Sequence, residues 1–249
     1  LALQRRTKIS QKSPEQTDDA LNNFYTYVNN LWTKKSFELQ NILNMDETPV
    51  WFDMAGNVTI NEKGKKTVHI HGTGNEKNRF TVILTYAADE TKFPPICIFK
   101  GQCLSRKEQI PSGERNHEHK TSAMMVYDSF SGHLEDSVKK KFRENGYNLA
   151  VIPGGLTSIC QPLDIAINKP FKDHLRKEWY IWMSKGGAGK TTKGNLRHAR
   201  ISDVCRWIKN SWKNISTEII IRSFEYCGLL GNSDHNKENE ELEVIDLSN

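Results

Sequence analysis

Apolar residues recur at helical spacing in five stretches of the chain. The first stripe, from Leu21 to Trp32, follows a Ser-Pro-Glu-Gln segment at 13–16 that is typical of a helix start, so we expect a helix ending near residue 34. The other stripes predict helices over 133–145, from about Pro170 onward, around 200–214 and over 217–227, with Gly228 placed to end the last one.

Short apolar runs bounded by turn residues predict strands at 41–45, 66–70, 80–87, 95–100, 124–127 and 149–152. The first four follow one another closely, which favours an antiparallel meander. Strand, helix, strand and helix then alternate, and further helices follow. This order predicts one α/β layered domain with a helical extension.

The composition narrows the class of protein. The chain has 249 residues, 37% of them hydrophobic, and a mean hydropathy of −0.65, which suits one large domain with much solvated surface. No apolar run is long enough for a membrane span. The five cysteines include no C-x-x-C pair, so neither a zinc ribbon nor a disulfide framework is indicated, and a reducing compartment fits best.

Charge is distributed unevenly around a net value of +5. Basic residues are concentrated in 1–15, on the predicted helix at 133–145 and in 169–193, whereas 234–246 is acidic. Ordinary solvated faces explain such runs when charge is considered alone. Basic segments beside an acidic tail also suit a partner that carries phosphates.

Three aspartates share a local setting, because Asp46 and Asp128 each end a predicted strand and Asp164 precedes a predicted helix. Carboxylates that meet at a sheet edge repel one another unless they are protonated or bind a divalent cation. Oxygen ligands favour Mg²⁺ or Mn²⁺, and two such ions can activate water and stabilise the leaving oxygen of a phosphodiester. Spacing alone favours three unrelated turn and cap residues.

The local sequences around these aspartates are more specific. The segments NMDETPVWFDMAGNVTINEKGKKTVHIHGTG, NRFTVILTYAADETKFPPICIFKG, VYDSFSGHL and LAVIPGGLTSICQPLDIAINKPFKDHLRKEW closely resemble the DDE endonuclease domain of pogo/Tigger-type transposases and their domesticated centromere-protein-B and jerky-like relatives. The resemblance extends from about residue 5 to 230. It implies a ribonuclease-H-like α/β fold, a mixed sheet with flanking helices, with an N-terminal helix and a C-terminal helical extension.

The resemblance also implies a site and its partners. Asp46, Asp128 and Asp164 match the family's acidic triad, which binds two Mg²⁺ (or Mn²⁺) ions for DNA strand cleavage and transfer. It implies DNA as partner, a homodimer, a nuclear location and no membrane partner. In this setting we expect phosphate contacts from six basic residues: Lys139, Lys140, Arg143, Lys169, Lys172 and Arg176.

The expected organisation has five parts. Residues 1–40 form a basic linker and the N-terminal helix, 41–183 the DDE domain, 184–198 a flexible basic connector, 199–230 the C-terminal helices and 231–249 a disordered acidic tail. In the family a helix-turn-helix module precedes the linker, and we expect this chain to start after that module. The segment 101–122 is polar and shows no helical stripe, so we expect one core helix to be missing there.

Three hypotheses therefore remain open. The domain is an active DDE nuclease, or a catalytically inactive DNA-binding or self-association module that keeps the fold. The third is a P-loop ATPase, because the stretch SKGGAGKTT at 184–192 matches a deviant phosphate-binding loop. A phosphate-binding loop must follow a buried strand, whereas a helix is predicted ahead of this one, so no nucleotide cofactor is expected.

Overall fold

The computed structural model describes residues 17–54, 77–101, 122–187, 189–192 and 196–230. Several predictions of the sequence fall on the remaining residues. The strand at 66–70, the acidic tail and nearly all of the segment 101–122, with its expected missing helix, lie outside the described residues.

A mixed five-stranded sheet forms the centre of the described residues, with the strand order β3-β2-β1-β4-β5. β1 to β3 pair antiparallel, whereas β4 and β5 run parallel to β1. The expected meander and strand–helix–strand order are therefore both present. The strands are β1 (Ile42–Trp51), β2 (Arg79–Ala87), β3 (Ile96–Ile98), β4 (Ala123–Asp128) and β5 (Tyr147–Ile152).

β1 is longer than the predicted strand at 41–45, because it pairs with β2 along its whole length, up to Trp51. Its side chains alternate between buried and half-buried from Asn44 onward, as expected when one sheet face is packed. Pro49 is tolerated in this strand because the other neighbour, β4, pairs only with residues 42–44.

Helices flank the sheet and agree with the five predicted stripes. The described part of the first helix ends at Lys35, near the predicted end. Gly228, with φ of +62°, follows the last helix as expected. The helices are α1 (Thr17–Lys35), α2 (Asp136–Glu144), α3 (Thr157–Cys160), α4 (Asn168–Ser184), α5 (Ile201–Lys213) and α6 (Thr217–Tyr226).

The helix predicted from about Pro170 onward is confirmed as α4. α4 begins at Asn168 and continues without a break from a π-helical turn, Leu163–Ile167. Pro170 is the third residue of α4, and because proline has no backbone N–H it cannot donate a hydrogen bond back to the π turn.

Two apolar clusters hold the layers together. The larger one joins one sheet face to α1, α4, α5 and α6, for example through Phe24, Phe171, Val204 and Phe224. The smaller one joins the opposite face, around Tyr127, to α2 through Phe142. None of the helices in the described part of the chain is long and apolar enough to cross a bilayer.

The glycine-rich stretch at 184–192 follows α4 and not a strand, as the sequence predicts. Trp182 in α4 packs edge-on against Trp207 in α5, with ring centroids 5.5 Å apart. The Cβ of any residue at Gly187 would lie 2.4 Å from the Trp182 ring, so the loop crosses this side chain closely. The stretch therefore connects two packed helices and has no sheet edge from which to hold a nucleotide.

Candidate active site

The fold brings the three predicted aspartates to one end of the sheet. Asp46 does not end its strand, as the sequence predicted, but lies in the middle of β1, because pairing with β2 continues to Trp51. The residue is 8% exposed, on the sheet face that packs against the larger apolar cluster. Asp128 is the last residue of the neighbouring strand β4. Asp164 reaches the same region from the helical layer. The charges of Asp128 and Asp164 both act on Asp46, so the three side chains form one electrostatic group.

Asp164 precedes α4, as the sequence predicted, and lies inside the π-helical turn that leads into that helix. A π turn has one extra residue compared with an α turn and is frequent at functional sites. Leu163 and Ile167, the first and last residues of this turn, are buried, whereas Asp164 is exposed to solvent. The turn therefore packs its apolar side against the core and presents the carboxylate outward.

One side-chain amide joins two of the aspartates. The Nδ2 atom of Asn168 donates to Asp46 Oδ2 over 3.0 Å and to Asp164 Oδ1 over 2.9 Å. Asn168 is only 9% exposed, so these bonds form away from bulk water. Hydrogen bonds to a carboxylate stabilise its charged form. Asn168 thus holds a strand carboxylate and a helix carboxylate against their mutual repulsion.

The pKa values of Asp46 and Asp164 show that burial and mutual repulsion disfavour their charged forms. Burial raises the pKa of Asp46 to about 6, and the neighbouring charge of Asp164 adds to the effect, against the opposing hydrogen bond of Asn168. The pKa of Asp164 is also raised, first by partial desolvation on its protein-facing side and then by the charge of Asp128. A cation bound between such carboxylates would stabilise their ionised forms.

Asp128 has a different partner. Its Oδ1 atom lies 3.0 Å from Nδ1 of His133, and the other ring nitrogen of His133 lies 3.0 Å from Glu47 Oε1. Burial lowers the pKa of His133, but the bonds and charges of Glu47 and Asp128 outweigh it, so the pKa is raised overall. The imidazolium form can donate to both carboxylates at once.

The described residues contain no group of three His, Cys, Asp or Glu side chains arranged closely enough to hold a metal ion. Their chemistry nevertheless fits a divalent cation. Asp46, Asp128 and Asp164 supply only oxygen donors, which suit Mg²⁺ or Mn²⁺. The Oδ1 atom of Asn168 is buried beside two of them without a hydrogen-bond partner among the described residues, so it is a further oxygen atom with an unused lone pair at this place.

Lys172 lies closest to the acidic group among the six basic residues predicted to contact DNA. Burial lowers its pKa, and the charges of Asp164 and Asp46 act on it in the opposite direction. Arg176, one turn further along α4, pairs with Asp173 over 2.6 Å. Lys169 is exposed at the start of α4, and Lys139, Lys140 and Arg143 lie on α2 across the sheet.

Four neighbours of the aspartates were missed by the sequence analysis. His133 bonds to Asp128 through one ring nitrogen and to Glu47 through the other. Asn168 donates to the other two aspartates. Gln161 bonds to the backbone of Met45, next to Asp46. A polar residue inside a predicted buried segment, or one helical turn from an acidic residue, is the sequence feature that could have indicated these neighbours.

A family described as "DDE superfamily endonuclease" matches residues 107–224. The "Pogo transposable element with KRAB domain" protein of Homo sapiens is 28% identical over 258 residues, which cover 93% of this chain and 42% of that protein. Its Mus musculus counterpart matches with the same identity and coverage. The chain thus spans less than half the length of these curated relatives.

Solved structures of the Mos1 transposase share the architecture. A pre-cleavage Mos1 transpososome superposes with a TM-score of 0.58 at 12% identity, over 91% of this chain and 64% of that one. The Mos1 mariner paired end complex with Mn superposes equally well, with a TM-score of 0.58 at 11% identity and the same coverage. At such low identity the likeness establishes the fold alone, which is the ribonuclease-H-like fold predicted from the sequence.

Proposed function

We propose that the chain is a DDE transposase of the pogo/Tigger type, and that its residues 41–183 cleave and join DNA strands with divalent metal ions. Asp46, Asp128 and Asp164 are the residues that would hold Mg²⁺ or Mn²⁺. The proposed binding partner is DNA, and the proposed location of the protein is the nucleus. A homodimer that pairs two DNA ends belongs to the same proposal.

The convergence of Asp46 and Asp164 on one buried amide carries this proposal. A strand and a helix bring two carboxylates together, and the resulting pKa of Asp46, about 6, lies well above the ordinary value. Such an arrangement destabilises the fold unless a ligand compensates for it. Strongly perturbed carboxylates at one end of a sheet are typical of a functional site.

The chain's own residues divide the work. Two divalent cations would supply the activation of water and the stabilisation of the leaving 3′ oxygen. Asn168 keeps Asp46 and Asp164 converged, while His133 and Glu47 fix the orientation of Asp128. Lys172, beside Asp164, places a positive charge where the phosphate of a DNA strand would approach.

Two of the similar structures support DNA and metal as ligands. The Mos1 transposase was solved as a strand transfer complex and as a paired end complex with Mg. These ligands are those of the Mos1 protein. For the present chain they support the proposal because the chain shares the fold of that transposase.

The test is a nicking assay on a labelled DNA duplex, with Mg²⁺ or Mn²⁺ titrated against EDTA. We expect cleavage that depends on the metal and is lost in Asp128→Asn and Asp164→Asn. Asp203→Asn is the matched control, because Asp203 pairs with Arg206 on α5, outside the acidic group. The control should cleave like the unmutated chain.

Absence of metal-dependent cleavage by the unmutated, folded chain would overturn the nuclease activity. If that chain still retarded DNA in the same buffer, the inactive DNA-binding module would be the correct function. Cleavage that survived in both Asp128→Asn and Asp164→Asn would indicate a contaminating nuclease.

A further inference from the structure

Two side-chain amides, those of Asn44 and Gln161, form a pair beneath the acidic group, and both are completely buried. Asn44 belongs to β1, and Gln161 follows α3 just ahead of the π turn. The Nδ2 atom of Asn44 donates to Gln161 Oε1 over 2.8 Å. The side chains thus join the sheet to the helical layer across the domain interior.

Each remaining bond of the pair ends on a segment that carries one of the aspartates. Asn44 Nδ2 also donates to the carbonyl oxygen of Val126 over 3.1 Å, two residues before Asp128. Asn44 Oδ1 accepts from the backbone N–H of Leu163 over 3.1 Å, next to Asp164. Gln161 Nε2 donates to the carbonyl oxygen of Met45 over 3.1 Å, next to Asp46.

The backbone alone does not fix these segments relative to one another. The parallel ladder between β1 and β4 ends at the pair Asn44 and Val126, so the strands continue without shared rungs toward Asp46 and Asp128. No strand pairing joins the π turn to the sheet. The hydrogen bonds of the Asn44 and Gln161 side chains begin where the ladder stops. They fix the position of the helical layer relative to the two strands.

Packing by itself would not need polar groups here. Leu156 and Leu163 lie in the same apolar cluster, and apolar side chains of similar size would fill the space. Buried amides are costly unless every polar atom is paired, and the four side-chain atoms of this pair all have partners. Their directional bonds restrict sliding that apolar contacts tolerate.

We propose that Asn44 and Gln161 are positioning residues that set the relative placement of Asp46, Asp128 and Asp164 for cation binding. The cation part of this inference rests on the proposed function. The pair touches neither metal nor DNA, and it acts through the backbone of the three acid-bearing segments. Residues that orient metal ligands in this way commonly change metal affinity by about 10- to 100-fold.

The experiment compares Asn44→Leu, Gln161→Met and the double variant with the unmutated chain. Asn148→Leu is the matched control, because Asn148 also bonds from a strand to β4, through the carbonyl oxygen of Ala123, at the start of β4 away from Asp128. Mn²⁺ affinity is measured by titration calorimetry at a temperature where all chains are folded. The NMR signals of the Asn168 side-chain amide, assigned with Asn168→Ala, are recorded without metal.

We expect Asn44→Leu and Gln161→Met each to weaken Mn²⁺ binding about tenfold or more, and the double variant to be no weaker than the worse single one. The Asn168 amide signals should shift in these variants and stay unchanged in Asn148→Leu. Gln161→Met keeps the length of its side chain, so it provides the comparison if Asn44→Leu does not fold.

Two outcomes would overturn the inference. In the first, folded variants bind Mn²⁺ as the unmutated chain does. In the second, Asn148→Leu loses as much affinity, which would indicate general destabilisation. If the unmutated chain binds no Mn²⁺, the proposed function fails, and the Asn168 signals decide alone: a shift supports positioning of the acids, and no shift rejects it.

Discussion

Asp46 and Asp164 share a single hydrogen-bond donor, the side-chain amide of Asn168, although 117 positions separate them in the chain. One carboxylate comes from a central strand and the other from a π-helical turn. The amide reduces their repulsion but does not cancel it, because the pKa of both groups stays raised. This relationship leads to the first two predictions.

Removal of the shared donor should weaken metal binding. In Asn168→Ala the two carboxylates lose their common bond and repel each other more freely, so we expect Mn²⁺ affinity to fall about 10- to 100-fold. Titration calorimetry measures this change. Asn210→Ala is the control, since Asn210 also donates to a carboxylate, Glu178, from a helix surface. Equal affinities for Asn168→Ala and the unmutated chain would contradict the role of Asn168.

The metal-free protein should lose stability as the pH rises from about 4 to 6. The folded pKa of Asp46 is about 6, against 3.8 for the free side chain, so the folded state binds the extra proton in this interval. The stability is present below pH 4 and lost through pH 6, and the difference corresponds to on the order of 3 kcal/mol.

Urea unfolding in EDTA at several pH values tests this prediction. Asp46→Asn should show a flatter profile and be more stable than the unmutated chain at pH 7.5. Asp136→Asn, at the exposed start of α2, should keep the steep profile. A parallel profile for Asp46→Asn and the unmutated chain would show that the buried carboxylate is not the cause.

His133 should stabilise the fold through Glu47 in a pH-dependent manner. Because its folded pKa is raised, the contribution is complete below the ordinary pKa of 6.5 and disappears as the pH rises through the folded value. A double-mutant cycle with His133→Ala and Glu47→Gln should give a coupling of about 1 kcal/mol at pH 6 and much less at pH 9.

The surface pair of Arg222 and Glu218 is the reference for that cycle. Its atoms lie 2.6 Å apart one helical turn from each other on α6, and exposed pairs of this kind contribute roughly 0.3–0.5 kcal/mol at either pH. A coupling between His133 and Glu47 that is no larger, or that grows with pH, would refute the charged bridge.

Lys172 should contribute one phosphate contact to DNA binding. In Lys172→Gln we expect weaker binding to every duplex sequence and a smaller dependence of affinity on salt, with the slope reduced by about 1. Fluorescence anisotropy over a salt series measures both. Lys177→Gln, on an exposed part of the same helix, is the control. An unchanged slope in Lys172→Gln would exclude the contact.

Much of this arrangement could be read from the sequence. Short apolar runs and helical stripes placed β2, β4, β5 and the C-terminal helices within a few residues, because buried elements need apolar side chains where they pack. The local sequences around Asp46, Asp128 and Asp164 predicted the fold, which the similar structures share. The sequence did not show the full length of β1, because pairing with β2 extends the strand to Trp51, nor the π turn ahead of α4.

The sequence by itself determined which acidic residues stand in the segments that resemble the family, and that Asp128 ends a strand. Only the tertiary structure decided how those acids are held: Asn168 between Asp46 and Asp164, His133 at Asp128, and Asn44 with Gln161 beneath them. The physical reason is that a hydrogen bond needs its atoms placed to within a few tenths of an ångström. Local patterns fix which face a side chain points to, whereas that placement follows from the packing of helices on the sheet.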